Sequence, residues 1–194
     1  LSCPPGLSPI TFGPAAQASL KKRKTPVQSW YLDLTMLEKY WGEERVYHNT
    51  APISMNYGLR EALRIVCEEG LENRYSRHEE NHLALAAGLS AIGIDLAAQA
   101  GHRLWMLNSV KIPGGVEDAT VRRQLLSDYN IEIGAGLGDF AGKVWRIGLM
   151  GESSQRSNVM LLLSALELVL RRNGHACPEG AGVAAAQEAY NKKP

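Results

Sequence analysis

The sequence predicts an α/β chain of two unequal parts: one lone strand plus helices, then a small α+β unit. Three observations carry this reading. From Ser29 to about Gly93 the apolar residues recur at helical spacing. From about Leu104 short apolar runs alternate with amphipathic stretches, so the period changes. Ahead of both, Ser8–Phe12 reads as a lone apolar strand with no second strand nearby to pair with.

The elements follow from their punctuation. Leu1–Gly6 is a Pro/Gly loop feeding Ser8–Phe12, and Pro14 at a first helical position opens Ala15–Lys22. Asp33 caps a helix over Leu34–Trp41, stopped at Gly42. Leu59, Leu63 and Val66 share one face of a helix over Met55–Glu69. A longer helix runs from about Leu71 to Ile92 and ends at Gly93, where a left-handed terminating residue belongs. Leu104–Ile112 is a strand closed by Pro113-Gly114-Gly115, Glu117–Tyr129 an amphipathic helix, Ile131–Ile133 and Val144–Met150 strands, and Ser157–Arg171 an apolar-faced helix. The Ala/Gly-rich tail Glu179–Pro194 is expected to be a frayed helix or a disordered end. The resulting division is 1–70, a connecting helix over 71–93, a small α+β domain over 94–175, and a tail over 176–194.

Bulk properties remove several function classes. With 45% apolar and 21% charged residues the chain can bury one good core or two small ones, and its net charge of +1 offers no field for nucleic acid or an anionic membrane surface. Cys3, Cys67 and Cys177 are odd in number and far apart, which fits neither a disulfide framework nor a zinc site and suits a reducing compartment; Cys67 is expected to be a buried small hydrophobe. No apolar run approaches a membrane span, and no metal site is expected. The opening residues carry neither an initiator Met nor a signal pattern, and the chain reads as beginning inside a longer protein.

Arg146 is the most informative residue. It sits mid-strand in Gly142-Lys-Val-Trp-Arg-Ile-Gly-Leu-Met-Gly151, and a guanidinium there needs a carboxylate or phosphate on its fork, either an internal Asp or Glu or a bound acid. Trp145 alternates away from it and belongs to the core, while Trp30, Trp41 and Trp105 are expected to pack. Arg122, Arg123, Arg171 and Arg172 read as solvated helix faces. The loop Val46-Tyr-His-Asn-Thr-Ala-Pro52 offers four consecutive hydrogen-bonding side chains, enough to hold a phosphate, though His48 alone is too isolated to be a metal ligand.

Several segments in fixed order carry a family resemblance: Cys3-Pro-Pro-Gly6, Tyr31-Leu-Asp33, Tyr40-Trp41-Gly42, Tyr47-His48-Asn49-Thr50, Leu59-Arg60-Glu61-Ala62-Leu63, Glu69-Gly-Leu-Glu-Asn73, Ile131-Glu132-Ile133 through Gly136-Leu-Gly138, and Gly142-Lys143-Val144 with Arg146-Ile-Gly-Leu149. Together they make the chain, up to about Asn173, resemble the C-terminal half of class V, fold-type I pyridoxal-phosphate aminotransferases, most closely the alanine–glyoxylate and serine–pyruvate enzymes. The resemblance implies the end of the cofactor-binding large domain followed by the small C-terminal α+β domain. It implies transamination between alanine or serine and glyoxylate or pyruvate, with pyridoxal 5'-phosphate as cofactor, in a cytoplasmic enzyme, or a peroxisomal or mitochondrial one in a eukaryote. The terminal Asn191-Lys-Lys-Pro194 is not a peroxisomal address.

Residue by residue, the resemblance implies that Arg146 grips the substrate α-carboxylate and that Tyr47 and Thr50 reach across a homodimer interface to the neighbouring subunit's cofactor phosphate. Tyr47 and Gly136 would also border the substrate, the glycine run Gly134–Gly138 letting backbone come close as only Gly can at positive φ. The Schiff-base lysine would lie just before Leu1 in an enzyme about twice as long, and Lys21, Lys22 and Lys24 cannot replace it. Asn49 stands where the family often has His, and Ala135 and Asp139 depart from its commoner pattern, which leaves the pocket's preference open. Related transaminases of hydroxykynurenine or ureidoglycine, a cysteine desulfurase using Cys3, and a non-catalytic half remain as alternatives.

Overall fold

The structure is a computed structural model and describes residues 1–192. The chain divides within its third helix into two compact units, Cys3–Ala62 on one side and Leu63 onward together with Leu1 and Ser2 on the other.

The first unit holds helix α1 (Pro14–Lys21), a single 3-10 turn Trp30–Leu32, α2 (Leu34–Trp41) and most of α3 (Ile53–Glu69). Pro14 opens α1 and the Asp33 carboxylate accepts from the Thr35 backbone N–H at 3.0 Å, as the punctuation predicts. Asp33 lies below its ordinary pKa, chiefly because the Thr35 hydroxyl also donates to it, at 2.7 Å. The predicted strand Ser8–Phe12 is irregular instead. Apolar alternation alone makes no strand, because the backbone donors need a ladder and no neighbouring strand offers one among the described residues. Trp30 and Trp41 were expected to pack but are 53% and 61% exposed. Few side chains of this unit are buried, His48 and Ala62 among them.

The second unit is built on an antiparallel three-stranded sheet in the order β1-β3-β2, with β1 Leu107–Lys111, β2 Gly134–Ala135 and β3 Val144–Gly148. Helices α4 (Leu71–Ala91), α5 (Asp118–Tyr129), α6 (Arg156–Arg172) and α7 (Ala181–Asn191) complete it. Strand alternation sends Val110, Trp145 and Ile147 to one face, where they join Leu85, Leu89, Val121, Leu125, Leu163 and Leu166 in a single core. Trp145 is fully buried, and its Nε1 donates to Asp118 Oδ1 at 2.9 Å, which satisfies the one polar atom of the ring. Burying a Trp of this size stabilises the unit by about 3 kcal/mol.

Several sequence expectations are corrected here. Ile131–Ile133 is not a strand: Asn130 adopts the left-handed conformation at φ 55°, and the Ile131 N–H bonds back to the Leu125 carbonyl, so Ile131 serves to terminate α5 and the ladder starts only at Gly134. Strand β1 begins at Leu107, not Leu104, whose side chain is exposed. Cys67 is exposed, not buried, since it falls on the solvent side of α3. Arg122 is half-buried against Asp118 and so is not simply solvated. The tail is no frayed end: α7 is regular through Asn191 and docks on α4, and Lys193 and Pro194 lie outside the described residues. Gly88 and Gly182 permit that docking, because a Cβ at Gly88 would press on the Gly182 carbonyl and on Leu163. The buried Glu167 carboxylate accepts the N–H groups of Gly180 (2.5 Å) and Gly182 (3.2 Å), satisfying donors at the start of α7.

Candidate functional site

Arg146 occupies the centre of the middle strand, opposite Ser109 on one side and Gly134 on the other. It points to the sheet face away from Trp145 and the helices. Its Nε donates to the Ala135 carbonyl at 2.7 Å, which fixes the guanidinium plane. Gly134 lacks a Cβ where the guanidinium lies: one built there would sit 3.3 Å from Nη2. Among the described residues no carboxylate forms an ion pair with Arg146. The internal Asp or Glu that could have explained a strand arginine is therefore missing, and the two terminal nitrogens remain available to an acid from outside.

Arg146 borders a recess of about 240 Å³ walled by Ala97, Ala98, Leu137, Phe140 and Val144, with Ser109 and Gly136 completing the lining. The Ala97 N–H bonds to the Ser109 carbonyl at 2.8 Å, so a segment remote in sequence is pinned along β1 as one wall. Gly136 donates to the Val144 carbonyl at 2.9 Å, and a Cβ there would fall on the Phe140 carbonyl oxygen. Its need for glycine is this close approach; of the Gly134–Gly138 run only Gly138 has positive φ, at 56°, so the expected reason holds for that residue alone. Low-dielectric walls strengthen an ion pair formed in the recess. The strand pattern marked Arg146 and the family resemblance Gly136, but Ala97, Ala98 and Phe140 were missed, since they carry no local signal.

The other predicted residues lie in the first unit. Tyr47 is 71% exposed, and its hydroxyl is 3.0 Å from Thr50 Oγ1, so the loop presents two hydroxyls side by side. His48 between them is buried, stacked on Trp30 with ring centroids 4.1 Å apart. The structure thus brings Tyr47 together with Thr50, and Arg146 together with Gly136. No cluster of metal-ligating side chains occurs among the described residues, and no helix there is long and apolar enough to cross a membrane.

No protein-family model matches the chain. The (S)-ureidoglycine–glyoxylate transaminase of Bacillus subtilis is 38% identical over 208 aligned residues, which cover 98% of this chain and 50% of that protein. The crystal structure of ureidoglycine–glyoxylate aminotransferase from B. subtilis superposes with a TM-score of 0.93 at 41% identity, over 98% of this chain and 49% of that one. The alanine–glyoxylate aminotransferase of Nostoc sp. is similar at a TM-score of 0.79 and 50% identity, over 83% of this chain and 43% of its own. The chain spans about half the length of these relatives. By sequence and by fold it is homologous to about half of the ureidoglycine–glyoxylate and alanine–glyoxylate aminotransferases, and its architecture is a part of the fold-type I aminotransferase fold.

Proposed function

We propose that this chain provides the substrate-gripping half of a pyridoxal-phosphate-dependent aminotransferase that passes an amino group from alanine or serine to glyoxylate or pyruvate. The observation that carries the reading is Arg146, a strand arginine with its Nε tethered, lining a small apolar recess and ion-paired with no carboxylate among the described residues. A guanidinium so held accepts an α-carboxylate in bidentate fashion and fixes the adjacent α-carbon. The recess has room for a short side chain and bears no second cation, which suits small monocarboxylates over dicarboxylates.

The residues present fit the cofactor at its phosphate end. The paired hydroxyls of Tyr47 and Thr50, exposed and 3.0 Å apart, can both donate to one phosphate oxygen. Bound pyridoxal phosphate supplies an electron sink for charge developing at the substrate α-carbon. The proposal assigns the Schiff-base lysine to a position outside these 194 residues. It also has the Tyr47–Thr50 loop serve the neighbouring subunit of a homodimer, supported by the exposure of Tyr47, Trp30 and Tyr57 in the same unit.

A ureidoglycine donor is the second reading, favoured by the TM-score of 0.93 over nearly all of the chain to the B. subtilis ureidoglycine enzyme. Both readings share glyoxylate as acceptor and Arg146 as clamp. In the full-length protein Arg146→Lys, which loses the fork, is expected to raise KM for amino donor and oxo acid alike and to lower kcat/KM on the order of 10²-fold, with cofactor absorbance intact. Unchanged kinetics with every donor would end the assignment, and steady-state rates with alanine, serine and ureidoglycine would separate the readings.

A further inference from the structure

Among the described residues that line the recess, Ser109 has the one polar side chain besides that of Arg146. The ladder sets these two residues against each other. The Leu149 N–H donates to the Met106 carbonyl at 2.8 Å and the Ile112 N–H to the Lys143 carbonyl at 3.0 Å, so hydrogen-bonded pairs bracket the β1–β3 ladder at both ends. Alternation between them makes Ser109 and Arg146 a non-hydrogen-bonded pair, the kind whose Cα atoms lie about 4.5 Å apart and whose side chains are drawn together on one face. Val110 and Trp145 beside them face the core, which sends Ser109 and Arg146 to the recess. The Ser109 carbonyl is turned outward to the Ala97 N–H, and that bond pins the backbone beneath the hydroxyl. The hydroxyl itself makes no hydrogen bond among the described residues, where no sealed side-chain polar atom lacks a partner, so it is open to the recess.

We propose that the Ser109 hydroxyl is the second donor of the acid site, giving a hydrogen bond to the carboxylate that Arg146 grips. This rests on the reading of Arg146 as a carboxylate clamp. A carboxylate has about four acceptor sites, and a guanidinium fork occupies two of them. In water the others are hydrated, but between Ala97, Ala98, Leu137, Phe140 and Val144 they meet carbon, and an acceptor left without a donor there weakens binding. The backbone at Ala97, Gly136 and Phe140 cannot supply that donor, because these N–H groups already bond to the carbonyls of Ser109, Val144 and Leu137. The guanidinium leans toward β2, with its Nε on the Ala135 carbonyl and its Nη2 3.3 Å from where a Gly134 Cβ would sit. The β1 side of the recess is thus left to Ser109. A hydroxyl adds a donor without adding charge, so the site still holds a single carboxylate.

The test uses the full-length protein with its cofactor bound. Propionate and its neutral analogue propionamide serve as probes, and ligand-observed NMR gives their dissociation constants independently of turnover. Ser109→Ala should weaken propionate about tenfold to a hundredfold, as expected for a lost hydrogen bond to a charged group, and should weaken propionamide far less. Ser109→Thr keeps the hydroxyl on a side chain that suits a strand and should recover most of the propionate affinity. Equal losses for the two probes in Ser109→Ala would make Ser109 a packing residue and overturn the proposal. Arg146→Lys separates this assignment from the reading beneath it. If propionate binding falls in Arg146→Lys but is unchanged in Ser109→Ala, the clamp stands and the role of Ser109 is refuted. If neither substitution changes it, the clamp reading fails and the role of Ser109 falls with it. In the combined variant the two losses should be less than additive, since both groups act on one carboxylate, and full additivity would also overturn the proposal.

Discussion

Replacing Glu69 with glutamine removes the charge on which two arginines of α4 converge. Glu69 accepts from Arg74 Nη1 at 2.7 Å and from Arg77 Nε and Nη2 at 2.5 and 3.0 Å, and Arg77 Nη1 reaches on to the carbonyls of Gly151 (2.9 Å) and Ser154 (2.6 Å). The group therefore ties the α3–α4 corner to the turn that follows β3. The side chains of Arg74, Glu69 and Arg77 are 12%, 23% and 28% exposed, so solvent screens them only in part. The bonds from Arg77, then those from Arg74, outweigh burial and hold the Glu69 carboxyl at about 2 against an ordinary 4.5. A shift of that size corresponds to about 3 kcal/mol. Because the folded value is depressed, the contribution is fully present above pH 4.5 and is lost as pH falls from there toward 2. Urea unfolding followed by circular dichroism should place Glu69→Gln about 3 kcal/mol below the unaltered protein at pH 7, with the gap closing through pH 4 and below. A gap under about 1 kcal/mol at pH 7, or one that does not change with pH, would refute the reasoning.

Gly136→Ala sets a Cβ on the Phe140 carbonyl, so the β2–β3 hairpin must shift. It is expected to cost about 1–3 kcal/mol, and an unchanged melting temperature would contradict the close approach. Tyr190 donates to Asn81 Oδ1 at 2.6 Å and lies beneath the Arg156 guanidinium, 4.7 Å from its ring centroid. Burial pushes its phenol up to about 12. The neutral phenol is the folded form, so its contribution holds below the ordinary tyrosine value and is lost as pH rises from about 10 toward 12. In an ultraviolet phenolate titration, the difference between the unaltered protein and Tyr190→Phe should be a late step, and a difference centred near pH 10 would contradict this burial.

Relatives supplied context that neither pattern nor packing could. A strand arginine without an ion-paired carboxylate leaves the class of acid open, and the homology to about half of the glyoxylate transaminases is what suggested a small amino or oxo acid for the proposal. The recess beside Arg146 is about 240 Å³ with mostly apolar walls.

The sequence by itself determined what depends on neighbours within about one helical turn. Pro14 opening α1, Asp33 capping α2 and Gly93 at φ 77° after α4 all act over a few residues, and the order of letters contains them. Arg146 stood out for the same reason: its cost in an apolar strand is a local fact. Ser8–Phe12 failed as a strand because a strand exists only through its ladder, and Ile131–Ile133 because the left-handed Asn130 turns Ile131 back onto the end of α5. The tail reads differently in the structure because α7 is held by Glu167, 13 residues before Gly180, and by Gly88 and Asn81, far upstream. The walls of the recess are of the same kind. Ala97 and Phe140 are unremarkable in sequence and become part of a site only when β1 and the β2–β3 hairpin close around Arg146, because concavity is made by distant segments meeting and no short stretch of chain encodes it.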